Sequence, residues 1–333
     1  MRLSVIIKTL NEQANIERAI RSALDAVAAV GSGEVIVADS KSTDRTCEIA
    51  AQFPVRIVQL SHAEDRCCGV GAQLGYAVAQ GEYLYILDGD MTFEPGFVEA
   101  AIAALEQDSG LAGVGGQVRE MNLDNEEFVN RAQRRLAHFE PGQVDRLDMG
   151  GLYRRSALAQ VGYFTNQNLH AYEEFELAAR LASAGWRLRR LDHPGICHYG
   201  HTETSYRLLA KRWTSRYAWG CGELLRQSLG KPHLSFVLTR LHVYRLYFAV
   251  LVWCFAAATF VLLAAVNGTP LLALAGLGML ALPVLLMSLR RKSLARGLYA
   301  VSAWGVFSAG LLAGLLAKPR REPTDSVRCV SLK

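Results

Sequence analysis

The amino-terminal part of the chain alternates short, continuously apolar runs with stretches of helical periodicity. The apolar runs are rich in β-branched residues and predict strands over residues 4–10, 35–38, 55–60, 83–87 and 112–118. Helical patterns separate them over residues 12–30, 44–52, 69–79 and 96–107. Strands that are apolar throughout and alternate with helices are typical of parallel sheets covered on both faces. The pattern therefore predicts an α/β fold with a mostly parallel, doubly wound sheet, in which ligands bind beyond the carboxyl ends of the strands.

The carboxyl-terminal part contains three apolar stretches without a charged side chain, at residues 247–266, 270–289 and 297–317. Each has about 20 residues and is long enough to cross a hydrocarbon layer as a helix. A buried helical core is the alternative, but three consecutive stretches of this length favour membrane spans. Such spans also explain why 51% of the chain is hydrophobic.

Positive charge is concentrated just before the first apolar stretch. Residues 186–246 contain eleven Arg and Lys against three Asp and Glu, whereas the whole chain has a net charge of +5. A nucleic-acid site is one interpretation of such a patch. Its position beside a membrane segment favours attraction to anionic lipid headgroups, so no nucleic-acid partner is expected. The segment at 204–229 has apolar and basic residues on different sides, which predicts a helix in the membrane interface.

These patterns divide the chain into four parts: an α/β domain at 1–203, basic interfacial helices at 204–246, a membrane region at 247–317 and a basic tail at 318–333. The first strand contains Lys8 and does not resemble a secretory signal peptide, so the α/β domain is expected in the cytoplasm. The cysteines include no C-x-x-C pair, which is typical of reduced thiols. The predicted location is the inner (plasma) membrane, multi-pass.

Basic residues near the apolar stretches predict the direction of crossing. Those at 290–296 lie between the second and third stretches, and the positive-inside rule places them in the cytoplasm if the first stretch runs outward. Those at 318–321 would then end outside if the third stretch crosses fully. Either the third stretch is re-entrant or the charge rule fails here.

Two carboxylates directly follow the fourth predicted strand. Asp88 and Asp90 lie on either side of Gly89, just past the carboxyl end of the strand. Two hard oxygen donors at this spacing suit Mg²⁺ or Mn²⁺ held together with phosphates. Gly89 would let the backbone approach a ligand closely. A lone D-x-D also occurs often on ordinary surfaces.

Polar residues follow other strand ends as well. Asn11 and Glu12 follow the first strand, and Asp39 follows the second. Helix capping is a competing interpretation for Asn11, and also for Ser42 and Thr43. Capping does not explain Glu12 and Asp39 together with the acidic pair.

Three ordered motifs resemble those of the family-2 glycosyltransferases, which have the GT-A nucleotide-diphosphosugar-binding fold. The motifs are SVIIKTLNE at the first strand, VIVADSKSTDRT at the second and YLYILDGDMTFEP around the acidic pair. Lys8 and Leu10 stand where proline and an aromatic residue are commoner in that family. The resemblance extends over residues 1–220.

The resemblance implies a site for a nucleoside-diphosphate sugar, with uridine as the expected base. By position, Asp88 and Asp90 would hold Mg²⁺ or Mn²⁺ on the diphosphate, where a cation stabilises the charge of the leaving group. Arg66 would contact the phosphates. The residues expected to bind the nucleotide sugar are Thr9, Asn11, Glu12, Asp39, Arg66 and Asp88.

A second acidic cluster opens the segment HAYEEFELAARLASAGWRL at 170–188. Glutamates in the first turn of a helix favour its dipole, which is the structural interpretation. The spacing E-E-x-E-L is similar to the family's E-D-x-(E/D)-L segment, whose aspartate is the general base, and the matching residue is Glu174. The resemblance implies that Glu174 takes the proton of an acceptor hydroxyl in an in-line displacement that inverts the anomeric carbon.

Other residues are assigned to the acceptor or the metal, with open alternatives. Gly150 and Gly151 resemble the acceptor-side strand, although a tight turn explains them equally well. His198, in HYGH, is a candidate third metal ligand, although such histidines are more often structural. Arg212 and Trp213 resemble the RW pair near the acceptor channel of processive relatives, but an interfacial anchor is favoured. The assigned acceptor-side residues are Gly150, Gly151, Glu173, Arg212 and Trp213.

The expected function is that of a metal-dependent, inverting glycosyltransferase acting on a membrane-embedded lipid or lipid-linked glycan in cell-envelope or exopolysaccharide synthesis. Three spans are few for a polymer-conducting pore, which favours a non-processive enzyme. A sugar-nucleotide nucleotidyltransferase is one alternative, but KTLNEQAN lacks its phosphate loop. The other is a non-catalytic, membrane-anchored nucleotide-sugar-binding subunit, which the loss of one acid from the pair would have favoured.

Overall fold

Strands and helices alternate along the chain as the sequence predicts. The computed structural model describes residues 1–122, 137–200 and 204–333. Its strands are β1 (Leu3–Thr9), β2 (Gly33–Asp39), β3 (Arg56–Leu60), β4 (Tyr83–Asp88), β5 (Met91–Phe93), β6 (Leu111–Glu120), β7 (Gly142–Val144), β8 (Gly151–Arg154), β9 (Arg187–His198) and β10 (Cys329–Ser331). Its α-helices are α1 (Ile16–Val30), α2 (Thr46–Ala50), α3 (Cys68–Tyr76), α4 (Phe97–Gln107), α5 (Arg155–Gln160), α6 (Glu173–Ser183), α7 (Ser205–Thr214), α8 (Gly220–Ser228), α9 (Leu234–Arg240), α10 (Val243–Asn267), α11 (Pro270–Arg291) and α12 (Leu294–Leu316).

The strands form one mixed sheet whose first half is parallel. The order of the strands is β10–β3–β2–β1–β4–β8–β6–β9–β5, and β7 pairs with β9. Strands β3, β2, β1 and β4 are parallel, with Leu3 opposite both Gly33 and Tyr83. Strand β8 runs antiparallel between β4 and β6, whereas β9 is parallel to β6. The predicted α/β fold is confirmed, and the antiparallel strands lie where the sequence shows no long apolar run.

Helices cover both faces of the sheet, which explains why its central strand is apolar throughout. Val5 and Ile7 of β1 pack into the buried cluster that contains α1 residues, and Ile6 packs into the cluster that contains α3 residues. Gly75 of α3 lies directly on Ile6, where a Cβ would collide with the Ile6 Cγ2 atom. Because both faces are closed in this way, ligand chemistry is expected at the strand ends.

The chain divides into two compact units. The first contains Met1–Glu203, Gln227–Val237 and Pro319–Lys333, and the second contains Thr204–Arg226 and Leu238–Lys318. The sheet belongs to the first unit. The segments 227–237 and 319–333, which the sequence pattern assigns to the interfacial helices and the tail, therefore belong with the sheet.

The carboxyl-terminal tail adds the edge strand β10 to the sheet. Cys329 pairs with Leu60 and Ser331 pairs with Val58 in antiparallel register. Leu332 donates its backbone N–H to the carbonyl of Ile57 at 2.9 Å. Residues 319–333 are thus an integral part of the sheet unit.

The second unit contains the apolar helices that the sequence predicts. Helices α10, α11 and α12 are each long and apolar enough to cross a membrane. Within this unit, Gly310 and Gly314 of α12 lie against the backbone carbonyls of Ala218 and Trp219, where a Cβ would collide. The small residues therefore let α12 pack closely on the segment that leads into α8.

Candidate active site

The carboxyl ends of β2, β1 and β4 bring the predicted polar residues into one row. Parallel pairing places Thr9 opposite Asp39 and Lys8 opposite Asp88. The Thr9 hydroxyl donates to Asp39 Oδ1 at 3.0 Å. This register collects side chains from distant parts of the chain at one edge of the sheet.

Lys8 lies at the centre of this row and joins its two acidic clusters. Its Nζ atom lies 2.9 Å from Asp88 Oδ1, 3.5 Å from Glu173 Oε1 and 3.9 Å from Glu174 Oε1. Burial lowers the pKa of Lys8, but the three carboxylates outweigh it and raise the pKa well above its ordinary value. Lys8 is not among the site residues that the sequence predicts, although a charged residue in place of the commoner proline is a signal of such a role.

Glu174 lies at this same edge, buried in the first turn of α6. Its Oε2 atom is buried and makes no hydrogen bond, which is rare for a carboxylate oxygen inside a protein. Burial raises the pKa of Glu174 well above its ordinary value, while Lys8 opposes that rise. Tyr172, directly before α6, has a φ of 66°, an uncommon conformation for a bulky residue. Buried, unpaired acids and unusual backbone of this kind concentrate at functional sites.

Asp90 faces His198, because the short strand β5 pairs with the end of β9. Met91 lies opposite His198 in that pairing. Asp90 Oδ2 lies 3.3 Å from His198 Nε2, and Glu120 Oε2 lies 2.6 Å from His198 Nδ1. Burial lowers the pKa of His198, but hydrogen bonds to Asp90 and Glu120 outweigh it and raise the pKa to about 9. The second histidine of the HYGH motif, His201, lies outside the described residues.

The Asp90–His198 pair fits one side of a metal site. Metal-ligating histidines usually present one ring nitrogen to the ion and donate the other N–H to a carboxylate, and Glu120 is placed to accept that N–H from His198 Nδ1. Because the pKa of His198 is raised to about 9, its Nε2 proton would have to leave before that atom could bind a metal. Within the described residues no group of three His, Cys, Asp or Glu side chains is placed to hold a metal ion by itself, so other oxygens would have to complete the coordination. Phosphate oxygens usually do so for Mg²⁺ and Mn²⁺. Asp88 is directed to Lys8 instead.

The residues expected to bind the nucleoside connect the loops after β1 and β2. Asp39 is fully buried and accepts hydrogen bonds from Thr9, from Gln59 Nε2 and from the backbone N–H and hydroxyl of Ser42. Asn11, with a φ of 60°, donates its N–H to Ser42 Oγ and accepts from the Thr43 N–H. These contacts cross between loops, so Asn11, Ser42 and Thr43 do not act as helix caps.

Arg66 and Glu12 complete this side of the site. Arg66 donates to the backbone carbonyls of Ser40 and Lys41 and so holds the loop after β2. Glu12 accepts from Asn15 Nδ2 at 3.0 Å. Burial raises the pKa of Glu12 to about 7, and the nearby Asp90 and Asp88 add to the effect.

Gly89, between the two aspartates, has a packing role. A Cβ at Gly89 would lie 2.8 Å from the Glu12 Cγ atom. A side chain at this position would therefore displace Glu12 from the site.

Two family models match the chain. "Glycosyl transferase family 2" matches residues 4–164, which include both aspartates, and "Glycosyl transferase family group 2" matches residues 149–290, which include Glu174. The chain belongs to the family-2 glycosyltransferases. The resemblance seen in the sequence motifs is thereby confirmed.

This glycosyltransferase matches its curated relatives over only part of their lengths. A dolichol-phosphate mannosyltransferase of Pyrococcus furiosus is 26% identical over 135 residues, which cover 39% of this chain and 38% of the relative. The O-antigen chain rhamnosyltransferase WbaN of Salmonella anatum is 21% identical over 210 residues, which cover 59% of this chain and 66% of the relative.

Solved structures share the fold of this glycosyltransferase. The mannosyltransferase PcManGT of Pyrobaculum calidifontis, in complex with GDP-Man and Mn²⁺, has a TM-score of 0.57 at 22% identity, covering 92% of this chain and 87% of that one. S. aureus TarS in complex with UDP-GlcNAc has a TM-score of 0.52 at 14% identity, covering 94% and 92%. These likenesses support the GT-A fold.

The residues assigned to the acceptor side are divided between the two units of this glycosyltransferase. Gly150 has a φ of 92°, and a Cβ there would lie 2.9 Å from the Tyr85 hydroxyl. A Cβ at Gly151 would lie 3.0 Å from Leu147 Cδ1, so backbone conformation and packing require both glycines. Arg212 and Trp213 belong to the second unit, where Trp213 packs edge-on against Trp219. Their part in acceptor binding stays a prediction.

Proposed function

We propose that this family-2 enzyme is an inverting, metal-dependent glycosyltransferase that moves a sugar from a nucleoside-diphosphate sugar to a lipid or lipid-linked glycan. The observation that supports it most is the buried, unpaired Oε2 atom of Glu174, on a side chain joined through Lys8 to the donor-side Asp88. A general base needs an oxygen that is free to accept a proton from the acceptor hydroxyl.

The proposed reaction is a single displacement. Glu174 accepts the proton of the acceptor hydroxyl, while that oxygen forms a bond to the anomeric carbon. The bond between the anomeric carbon and the diphosphate oxygen breaks on the opposite face, and its electron pair leaves with the nucleoside diphosphate. One displacement without an enzyme nucleophile inverts the anomeric configuration.

In this proposal Asp90 and His198 would hold a divalent cation, and Glu120 would orient His198. When bound, such a cation neutralises charge on the diphosphate. Thr9, Asn11, Glu12 and Asp39 line the nucleoside site, and Asp39 would exchange some of its present partners for the nucleoside. Arg66 keeps the loop at Ser40 in place.

Lipid acceptors and a membrane location are supported by the second unit and by the relatives. Helices α10 to α12 are apolar enough to cross a membrane, and a basic region precedes them. The Pyrococcus furiosus relative is named for dolichol phosphate, whose dolichol part is a lipid. We place the enzyme in the inner membrane with the sheet unit in the cytoplasm, and we propose uridine as the base of the donor.

A thermal-shift screen of the purified protein with UDP, GDP and dTDP, each with and without Mn²⁺, tests donor binding. Stabilisation by UDP that requires Mn²⁺ is expected, and no shift with any nucleotide would contradict the proposal. Transfer from radiolabelled UDP-sugars to membrane extract then compares wild type with Glu174→Gln and the exposed control Glu17→Gln. A loss of about 10³-fold is expected for Glu174→Gln alone.

The same assays separate the alternatives. A nucleotidyltransferase would form nucleotide sugar from a sugar phosphate and a nucleoside triphosphate, with release of pyrophosphate. A non-catalytic subunit would bind UDP without any transfer. Full transfer activity in Glu174→Gln would exclude Glu174 as the base.

A further inference from the structure

The ammonium group of Lys8 contacts three carboxylates at the centre of the site. Lys8 Nζ contacts Asp88, Glu173 and Glu174 at 2.9, 3.5 and 3.9 Å. The Lys8 side chain is 15% exposed, so water screens these charges poorly. Without the ammonium, no positive charge would offset the mutual repulsion of these three carboxylates when they are ionised.

The stem of Lys8 is held so that its ammonium reaches these carboxylates. Gly71 of α3 lies on the stem, and a Cβ there would come within 3.3 Å of Lys8 Cγ and 3.4 Å of Lys8 Cβ. The backbone of Lys8 is fixed by its pairing with Asp88 across β1 and β4. Packing and register therefore fix the backbone and the stem of the lysine.

The contacts of Lys8 cross the two halves of the site. Asp88 is the last residue of the donor-side strand β4, whereas Glu173 and Glu174 open α6, more than 80 residues later. Hydrogen bonds within the described residues do not join Asp88 directly to Glu174, and the Lys8 ammonium contacts both. A neutral proline, commoner at this position in the family, would provide no such link.

We infer that Lys8 is a positioning residue whose ammonium holds Asp88 and the base Glu174 at one point, so that donor and acceptor meet in reactive geometry. This role rests on the proposed function. Loss of the ammonium would let the carboxylates separate, which affects the transfer step more than donor binding, because the nucleoside contacts lie elsewhere.

The first test is kinetic and uses the full chain. Lys8→Met keeps the apolar stem and removes the charge, and Lys231→Met, on an exposed loop of the same unit, is the matched control. With the radiolabelled UDP-sugar that wild type transfers, Lys8→Met should lower kcat about 100-fold and change KM for the donor less than about 5-fold. A kcat within 3-fold of wild type would overturn the inference.

A charge-compensation variant separates positioning from misfolding. In Lys8→Met, the further change Glu173→Gln removes one of the repelling charges, and we expect it to restore kcat at least about 10-fold. A purely structural role of Lys8 predicts no such recovery. Equal kcat in the single and double variants would contradict the inference.

A stability cycle without any substrate keeps failure of the inference distinct from failure of the proposed function. Glu174→Gln is made both in wild type and in Lys8→Met, and its effect on Tm is measured in each. The gain in Tm should be larger by about 3 °C in Lys8→Met, because Glu174 has lost its neighbouring cation in that variant. Equal gains would exclude coupling between the two residues. If the two residues are coupled in this way but wild type transfers no sugar, the proposed function is wrong and the link between Lys8 and Glu174 still holds.

A second, independent observation concerns the two ends of the apolar region. The chain leaves the sheet unit before α10 and returns to it after α12, because residues 319–333 belong to that unit. The return is well anchored: Arg321 pairs with Asp65, and the side-chain amide of Gln167 donates to the carbonyls of Glu322 and Asp325. Both ends of the apolar region therefore lie on the same side of any membrane.

Because both ends of the apolar region lie on the same side, the chain must cross the membrane an even number of times. Three long apolar helices separate the two ends, so one of them must not cross fully. Helix α12 is the least apolar and the most buried within its own unit. Basic residues flank it on both sides, at 290–296 and 318–321, which the positive-inside rule places in the cytoplasm.

We infer that α10 and α11 form a crossing hairpin and that α12 stays on the cytoplasmic side, packed on the 218–223 segment of its unit. This resolves the conflict between the basic tail and a third crossing. The turn at Gly268 and Thr269 would then face the outside.

Labelling with a membrane-impermeant maleimide tests this topology in spheroplasts. The full chain offers the exposed Cys329 in β10, to which Thr269→Cys and Ser293→Cys are added in separate variants. Mass spectrometry of the labelled peptides should find position 269 modified in intact spheroplasts, and positions 293 and 329 modified only after permeabilisation. Labelling of Cys329 in intact spheroplasts, or protection of position 269, would overturn the inference.

Discussion

At the residue scale, three glutamates in one helical turn have three different environments. Glu173 and Glu174 face Lys8, and Glu174 keeps one oxygen unpaired. Glu176 accepts a hydrogen bond from the Tyr163 hydroxyl at 2.6 Å and pairs with Arg180 at 2.9 Å. All three glutamates lie in the same short sequence motif, so the sequence does not distinguish them. The residues that the fold places around each glutamate decide which one is available for chemistry.

Replacing Glu176 should cost stability rather than catalysis. Its pair with Arg180 is buried, at 2% and 8% exposure, whereas the equally spaced pair of Glu17 and Arg21 is exposed, at 58% and 63%. We expect Glu176→Ala to lower the free energy of unfolding by about 3–5 kcal/mol, because it leaves a buried Arg180 unpaired.

The matched control Glu17→Ala should lower the free energy of unfolding by no more than about 0.5 kcal/mol. Urea unfolding measures both values. Equal costs for the two variants, or transfer lost in folded Glu176→Ala, would show that Glu176 has another role.

Glu12 should make the stability of the nucleotide-free protein depend on pH. Its pKa is raised from 4.5 to about 7 by burial. The folded state therefore binds this proton more tightly than the unfolded chain, and stability falls as the pH rises from 4.5 to 7. Relative to Glu12→Gln, wild type should lose about 3 kcal/mol over this window. Thermal unfolding in EDTA at pH 5 and pH 8 measures it, and a constant Tm difference would contradict the prediction.

At the element scale, the strands differ in how clearly their own sequences predict them. Strands β1 and β4 are apolar throughout because helices cover both faces of the sheet. Strand β8 has four residues and no periodicity, and β10 lies at an edge with all three residues exposed. Their positions depend on partner strands rather than on their own composition.

The edge strand β10 should stabilise the sheet unit through its backbone. Leu332 donates its N–H to Ile57, and its side chain is half exposed. Leu332→Pro removes that donor, so we expect a loss of about 1–2 kcal/mol. Leu332→Ala keeps the N–H and should have a much smaller effect. Thermal unfolding of the two variants compares them, and equal losses would mean that the side chain matters instead.

At the scale of the whole molecule, one unit is built around a polar edge of a sheet and the other around apolar helices. Large side chains on the apolar helices are exposed, as Phe255, Leu271 and Leu316 illustrate. Such continuous apolar surface is unfavourable in water and favourable in a bilayer. Within the described residues these helices therefore do not form a buried core of this chain.

The protein should behave as an integral membrane protein. After alkaline carbonate extraction of membranes, which removes proteins bound only by charge, it should stay in the pellet, because its helices are long and apolar enough to cross the hydrocarbon layer. Detergent should then release it. Immunoblotting of both fractions measures the outcome, and release by carbonate would show attachment through the basic helices alone.

The sequence by itself determined the elements whose chemistry is local. Apolar runs, turn residues and the motifs around Asp39, Asp88 and Glu174 were sufficient to predict the α/β fold, the family and the apolar helices, because periodicity and strand-end acids are properties of neighbouring residues. The tertiary structure decided what depends on distant segments: Lys8 between two acidic clusters, Glu120 behind His198, and the tail as an edge strand. A register that brings residues 8, 88 and 174 together is fixed only when packing closes both faces of the sheet.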